Sequence, residues 1–357
     1  MISKKSKLEI IAEIGVNHNG KMSYARKLIN VAKKCGADYV KFQKFNASDI
    51  AHKNLKKVKY QKTNINRKET QYQMLLNLEL KEKQFLILKN YAKKKGVKFL
   101  LSIFDTNDLK FIEKKIKANL IKIPSGEITN FLLLKKLNLK KYKIILSTGM
   151  SNIKEIMNAL NQIVGKKVYK MRDTKVIIEN KNLYNKIKDR IHLLHCTSSY
   201  PTDIKDVNLN CMETLKSHFK LKVGYSDHTV SNLASIASVA SGAELIEKHI
   251  TLNKNFSGPD HKSSLDPFEF KNFVKSLKDT KVLMGSNKKK VQLSELETKK
   301  LVRKRIFAAK IIRKFETFSE DNLTSKRYHR GICASKIDDF IGKRSNKNYK
   351  KGEIIFK

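Results

Sequence analysis

The sequence predicts an α/β chain: a (β/α)8 barrel of parallel strands followed by a small β-rich domain. Three observations predict it. From the start to about residue 285, eight short apolar runs alternate with helical, lysine-rich segments; strands separated by helices imply a parallel sheet, and eight repeats fit a closed barrel. Polar, chemistry-bearing residues close every one of these runs, and a barrel builds its site from the carboxyl ends of its strands. Beyond residue 299 the pattern changes to short β-like runs without a long helix. An open doubly wound sheet is the alternative; the count of eight and the polar strand ends favour the barrel.

The first run, LEIIAEI (8–14), carries Glu13 near its end and breaks into Asn-His-Asn-Gly. A strand that only filled a core would have no use for Glu13. YVKF (39–42) brings Lys41 and then Gln43, KFLLS (98–102) brings Ser102, and LIKIP (120–124) brings Lys122 ahead of Ser125 and Glu127. KIILS (143–147) ends on Ser147 and Thr148, IHLLHC (191–196) on His195, and KVGYS (222–226) on Ser226, Asp227 and His228. ELIEKHI (244–250) supplies Glu247 and His249. The polar stretch 165–190, between the fifth and sixth runs, reads as an excursion outside the barrel core. Residues 1–285 are thus expected to form the barrel, 286–298 a charged linker or helix, and 299–357 the β-rich domain. At about 60 residues that last domain is marginal in stability on its own.

Composition sets bounds. With 40% hydrophobic residues the chain can bury a sizeable core. Only 4 prolines occur, and Pro124, Pro201 and Pro259 fall inside the motifs. The net charge of +43 would attract nucleic acid or an anionic membrane. The lysines are dispersed, however, without an RNA-recognition or zinc-finger pattern, and read as solvated surface. Cys35, Cys196, Cys211 and Cys333 form no C-x-x-C pair, which favours a reducing cytoplasm over structural zinc. MISKKSKLEIIAEIGV is interrupted by Glu9 and Glu13 and reads as a strand rather than a signal peptide. No apolar run reaches the roughly 18 residues of a membrane span.

Lys41 and Lys122, flanked by Ser102, Ser125 and Ser147, suit a phosphate; the bland alternative is a Lys122–Glu127 ion pair. His228 and His249 close neighbouring runs, and two neutral imidazoles there can hold one exchangeable divalent ion of the Mn²⁺ type. Asp260, in SGPDH (257–261), is a candidate water-mediated partner of that ion. Glu13 is suited to orient or deprotonate water or a hydroxyl.

IAEIGVNHNG, GADYVKFQ, IKIPSGEITN, ILSTGM, LLHCTSSYP, VGYSDHT, IEKHITL and SGPDHKSSL occur in this order, and together they resemble the sialic acid synthase family. FETFSEDNLTSKR, in the tail, resembles the antifreeze-like (SAF, β-clip) domain of that family. The resemblance implies a transferase of surface-glycan biosynthesis that condenses phosphoenolpyruvate with an N-acylated hexose. N-acetylmannosamine, giving N-acetylneuraminate, is the first expectation. A 2,4-diacetamido-trideoxy hexose, as in legionaminic or pseudaminic acid synthases, is the alternative. It further implies that Lys41, Ser102, Lys122, Ser125 and Ser147 hold phosphoenolpyruvate, with Gln43 beside the sugar. His228 and His249 would hold Mn²⁺, or Mg²⁺ or Co²⁺. Glu13 would orient the sugar and help activate water, and Glu127, Ser198, Tyr200, Ser226 and Asp260 would contact the sugar. Arg327 would reach the N-acyl group across a domain-swapped homodimer.

The sequence departs from the family pattern at Ile103, where proline is usual, at Lys44, where threonine is common, and at Tyr328-His329, where Pro-Gly follows the Lys-Arg pair. The stretch YQKTNINRKETQYQMLLNLEL (60–80) resembles the sialic and legionaminic branches alike. A different class, a basic nucleic-acid-binding protein on an inactive barrel, is disfavoured by the intact Glu13, Lys41, Lys122, His228 and His249 set.

Overall fold

The eight runs are short and rich in Ile, Leu and Val, so each extends, and with helices on both sides each pairs in parallel. In the computed structural model, which describes residues 7–65 and 68–356, they are β1 (Glu9–Gly15), β2 (Tyr39–Lys44), β3 (Lys98–Ile103), β4 (Leu120–Ile123) and β5 (Lys143–Ser147). A hairpin, β6 (Tyr169–Arg172) and β7 (Lys175–Ile178), precedes β8 (Ile191–His195), β9 (Lys222–Asp227) and β10 (Leu245–His249). The closed barrel runs β1-β10-β9-β8-β5-β4-β3-β2. The barrel expectation holds, and the open sheet is excluded. The first six residues of MISKKSKLEIIAEIGV, and residues 66 and 67 within the 60–80 stretch, lie outside the described residues.

Side chains alternate along each strand, and the two faces differ in kind. Inward, Ile11, Tyr39, Leu100, Ile145, Leu194 and Leu245 form a buried cluster with Leu120 packed against it. Gly224 completes this plug because a larger residue does not fit: a Cβ there would collide with the Leu245 carbonyl oxygen and lie 2.7 Å from Leu194 Cδ2. Outward, the strands face a larger core shared with the helices. The helix Met22–Cys35 buries Ala25, Leu28, Ile29 and Ala32, the i, i+3, i+4, i+7 stripe of one helical face. Its exit is Gly36, at φ 91°. The helix Pro267–Leu283 opens on a capping box, with the Asp266 side chain accepting from Glu269 N at 2.8 Å and Glu269 accepting from Asp266 N at 3.0 Å.

The β6–β7 hairpin lies in the 165–190 excursion and outside the barrel sheet. Contrary to expectation it adds to the outer core: Val168, Tyr169, Val176 and Ile187 are buried there, and Tyr169 Oη donates to Phe219 O at 2.9 Å. A charged, Lys-rich surface masked those few anchors in the sequence.

The chain divides into two compact units between Gly285 and Ser286. In the second unit, residues 293–295 make a turn of 3-10 helix and Leu296–Val302 an α-helix. Antiparallel strands β11 (Lys304–Ala308) and β12 (Leu323–Arg327) follow. A small core of its own, including Ile306, Ile312, Phe318, Leu323, Tyr349 and Ile355, holds this unit together.

Candidate active site

At the carboxyl ends of the barrel strands the inward positions turn polar and surround a cavity of about 710 Å³. Its base is a lattice of buried charges. Lys122 Nζ donates to both Glu247 oxygens at 2.9 Å. Lys41 Nζ donates to Ser102 Oγ at 2.8 Å and lies 2.8 Å from Glu13 Oε2 and 3.6 Å from Glu247 Oε1. Glu13 and the Lys41 ammonium thus form a buried ion pair. Gln43 Nε2 donates to Glu13 Oε1 at 3.1 Å, and Ser226 Oγ to Glu247 Oε1 at 3.1 Å.

These groups set one another's protonation. Burial pushes the Glu247 carboxyl up, but Lys122 and Lys41 together outweigh it and hold it well below the usual carboxylate range. Burial raises Glu13; Lys41 opposes the rise and Glu247 adds to it. Burial lowers Lys122, with Glu247 opposing, whereas Glu13 and Glu247 overcome burial and raise Lys41. Glu247 is therefore held as the anion between two ammonium groups, whereas Glu13 is the carboxyl that burial makes hold its proton more tightly.

His228 and His249 stand on the adjacent strand ends of β9 and β10, with ring centroids 5.7 Å apart. His228 Nδ1 lies 2.7 Å from Thr197 O, and as donor to that carbonyl it leaves a lone pair on Nε2, which lies 3.5 Å from Ser226 Oγ. His249 Nδ1 is buried without a hydrogen-bond partner among the described residues, with Asp260 Oδ2 at 3.8 Å. Burial lowers His228 to about 4 and His249 well below its ordinary range, so both rings are neutral at pH 7. Two neutral imidazoles, one with an orphaned nitrogen, fit a weakly held divalent cation. No group of three or more His, Cys, Asp or Glu side chains suited to a metal occurs among the described residues.

Beside Lys122, Ser125 Oγ lies 3.2 Å from Cys196 Sγ and accepts from Gly149 N at 3.1 Å. A Cβ on Gly149 would lie 2.8 Å from Ser125 Oγ and 3.0 Å from Cys196 Sγ, so glycine lets the backbone amide approach the hydroxyl. Ser102, Ser147 and Ser198 line the same wall. The Tyr200 ring lies 4.2 Å from the His228 ring, tilted by 35°, and the Tyr60 ring lies 5.1 Å from Tyr200.

The structure thus gathers Glu13, Lys41, Gln43, Ser102, Lys122, Ser125, Ser147, Ser198, Tyr200, Ser226, His228 and His249 around one cavity. Asp260 is buried behind His249, and burial with Glu13 pushes it up to about 7. Glu127 is half-buried and accepts from Asn130 at 2.7 Å rather than lining the cavity. The Lys122–Glu127 pair is therefore overturned: the Lys122 ammonium is taken by Glu247. Arg327 ends β12 in the second unit, exposed. His195, read as a rim residue, points outward, its Nε2 2.8 Å from Val207 O; alternation gives the cavity position to Cys196. Sequence reasoning gave Glu247 no role, although its parity with His249 was the signal. It also missed Tyr60, Gln61, Asn64 and Gln71, which line the cavity from outside the strands and carry no periodic pattern.

Residues 28–289 match the NeuB family, and residues 303–357 match the SAF domain. The chain belongs to the NeuB family. It is 45% identical over 346 residues to the N,N'-diacetyllegionaminic acid synthase of Campylobacter jejuni, covering 97% of this chain and 98% of that one. It is 40% identical to the protein of the same name from Legionella pneumophila, covering 97% and 92%. Among solved structures, the N-acetylneuraminic acid synthetase of Leptospira borgpetersenii in complex with citrate is 30% identical, with a TM-score of 0.66 over 82% of this chain and 90% of that one. As a NeuB-family member with a C-terminal SAF domain, the protein is a phosphoenolpyruvate-dependent enzyme of the nonulosonic acid synthase type. NeuB-family enzymes generally require a divalent cation. Among the described residues no helix is long and apolar enough to cross a membrane.

Proposed function

We propose that this enzyme condenses phosphoenolpyruvate with a 2,4-diacetamido-trideoxy hexose to make a legionaminic-type nonulosonic acid. The observation that carries the acceptor is the 45% identity, across almost the whole of both chains, to a diacetyllegionaminic acid synthase. Pseudaminic acid synthase of Campylobacter jejuni and human N-acetylneuraminate-9-phosphate synthase stand at 30%. The comparisons therefore favour the alternative acceptor over N-acetylmannosamine.

The cavity accounts for the reaction class. Lys41 and Lys122 receive the phosphate and carboxylate of phosphoenolpyruvate, exchanging contacts with Glu13 and Glu247 for contacts with substrate anions, aided by Ser102, Ser125 and Ser147. His228 and His249 would hold a divalent cation, which would supply Lewis-acid polarisation of the open-chain aldehyde. Carbon 3 of phosphoenolpyruvate attacks that carbonyl carbon, and the aldehyde oxygen takes the proton of the Glu13 carboxyl, whose hold on a proton burial strengthens. Glu13, then ionised, recovers its proton from the water that adds to carbon 2. The carbon–oxygen bond to phosphate then breaks as the carbon 2 hydroxyl passes its proton to the departing phosphate, leaving a 2-keto acid and inorganic phosphate. Gln43, Ser198, Tyr200, Ser226 and the Asp260 side orient the sugar, and Glu127 reaches it by turning away from Asn130. Arg327 serves the N-acyl group of a partner subunit's sugar in a swapped homodimer.

The test incubates the protein with Mn²⁺, phosphoenolpyruvate and each of three sugars: N-acetylmannosamine and the two diacetamido-trideoxy hexoses of the legionaminic and pseudaminic series. Phosphate release and product mass are read. Turnover greatest with the legionaminic precursor supports the reading, and preference for N-acetylmannosamine overturns the acceptor. The dimer has its own test. Mixed and re-equilibrated Arg327→Ala and Glu13→Gln chains regain activity above either parent if Arg327 acts across subunits, and stay at the parental level if it does not.

A further inference from the structure

The outward faces of β9 and β10 carry a second charge pair, separate from the cavity. Asp227 and Lys248 are partners in the strand register, and neither side chain is exposed at all. Lys248 Nζ lies 3.0 Å from Asp227 Oδ2, which also accepts from Ser235 Oγ at 2.6 Å. Asp227 Oδ1 accepts from Thr229 N and Thr229 Oγ1, both at 2.8 Å. Lys248 donates further to the carbonyls of Thr229 at 2.5 Å and Ser231 at 3.3 Å.

Folding alone does not explain such a pair. Desolvating two charges is expensive, and well-packed apolar replacements of buried pairs are often neutral or stabilising. Position explains it better. Asp227 immediately precedes His228, and Lys248 immediately precedes His249, on the opposite face of the same strands. The ammonium also grips the carbonyls of Thr229 and Ser231, fixing the backbone just beyond His228. His249 Nδ1 has no hydrogen-bond partner among the described residues, so its ring depends on the strand that carries it.

We infer that the Asp227–Lys248 pair is a positioning device that locks β9, β10 and residues 229–231 in the register at which His228 and His249 converge on one divalent cation. It rests on the reading of those histidines as the metal pair. Its variants leave Lys41, Lys122 and Glu247 untouched, because alternation puts those side chains on the other face.

The test compares wild type with the double variant Asp227→Asn/Lys248→Met, which removes both charges at nearly constant volume. Mn²⁺ affinity is read from free-ion electron paramagnetic resonance, and metal-free phosphoenolpyruvate affinity by calorimetry. The Mn²⁺ Kd should rise about 10- to 100-fold, the usual cost of losing a group that orients a ligand, while the phosphoenolpyruvate Kd stays within about threefold. A Mn²⁺ Kd unchanged in the folded variant overturns the inference, as does an equal loss of both affinities, which marks a merely structural pair. If the double variant does not fold, Ser235→Ala decides, since it removes a single hydrogen bond to Asp227: weaker Mn²⁺ binding with intact phosphoenolpyruvate binding supports the device, and unchanged Mn²⁺ binding overturns it. Absence of Mn²⁺ binding in the wild type defeats the metal reading itself, and this inference with it.

Discussion

Two layers of the barrel interior, one step apart along the same strands, have opposite chemistry. The lower is apolar: Ile11, Tyr39, Leu100, Leu120, Ile145, Leu194 and Leu245, with Gly224 where no side chain fits. Two residues further on, the same strands present Glu13, Lys41, Ser102, Lys122, Ser147, Cys196, Glu247 and Ser226. Because strand side chains repeat every second residue, the two layers share one face. The difference teaches how the site is kept dry. The plug closes the barrel beneath the lattice, so the ammonium and carboxylate groups meet water from the mouth alone and interact strongly. The plug serves stability, whereas the lattice buries charged groups at a desolvation cost.

The largest expected effect strikes the upper layer. Glu13→Gln should lower turnover by about 10²- to 10⁴-fold, the usual worth of a positioned general base, with little change in the unfolding midpoint. Quench-flow measurement of phosphate release checks it, and near-normal rates would remove Glu13 from the chemistry. Glu247→Leu leaves two buried ammonium groups without their shared anion, so denaturant titration should show a loss of about 3–5 kcal/mol, together with altered phosphoenolpyruvate binding. One layer down, Leu245→Ala should cost a similar 2–5 kcal/mol or so by opening a cavity, yet leave the KM for phosphoenolpyruvate within about threefold. If both variants shift that KM equally, the division between plug and lattice fails.

Smaller effects lie farther from the lattice. Burial lowers His192, at the foot of β8, to about 4, and its Nε2 has no hydrogen-bond partner among the described residues. A lowered histidine contributes stability in full above its unfolded value near 6.5, and that contribution is lost as pH falls through about 4. Between these values the unfolded chain holds more protons, so stability should fall on acidification by up to about 1.4 kcal/mol per pH unit from this group. His192→Gln should flatten that slope in urea titrations at pH 7, 6 and 5; an unchanged slope assigns the acid sensitivity to other groups. Asn152 caps the helix Ile153–Val164 by accepting from Glu155 N at 3.0 Å. Asn152→Ala should cost about 1 kcal/mol without altering turnover, which thermal unfolding and a phosphate assay read together.

Much of this was legible beforehand, and the reasons are specific. The eight strands announced themselves as apolar runs between helical stretches, and their polar closing residues marked the mouth. What misled was parity. His195 looked like a rim residue because it ends a run, but its neighbour Cys196 shares the inward phase of Leu194. The hairpin of β6 and β7 was hidden because a few buried anchors sit in a strongly basic surface. Tyr60, Gln61, Asn64 and Gln71 were illegible because the helix Lys59–Asn64 is too short for a recognisable periodic face and Gln71 only opens the next one.

By itself the sequence determined the strands, their alternation and therefore which residues share the inner face, since these depend on local pattern and the two-residue repeat. It also determined the kinds of group available: two lysines, two carboxylates, two histidines and a set of hydroxyls. Only the tertiary structure decided who meets whom. Lys122 finds Glu247, 125 residues away and on a strand that is not its neighbour, instead of the nearby Glu127. Lys248, beside Glu247 in sequence, joins Asp227 on the opposite face. Closure of the barrel brings side chains from opposite strands together across its axis, and no local spacing encodes that meeting.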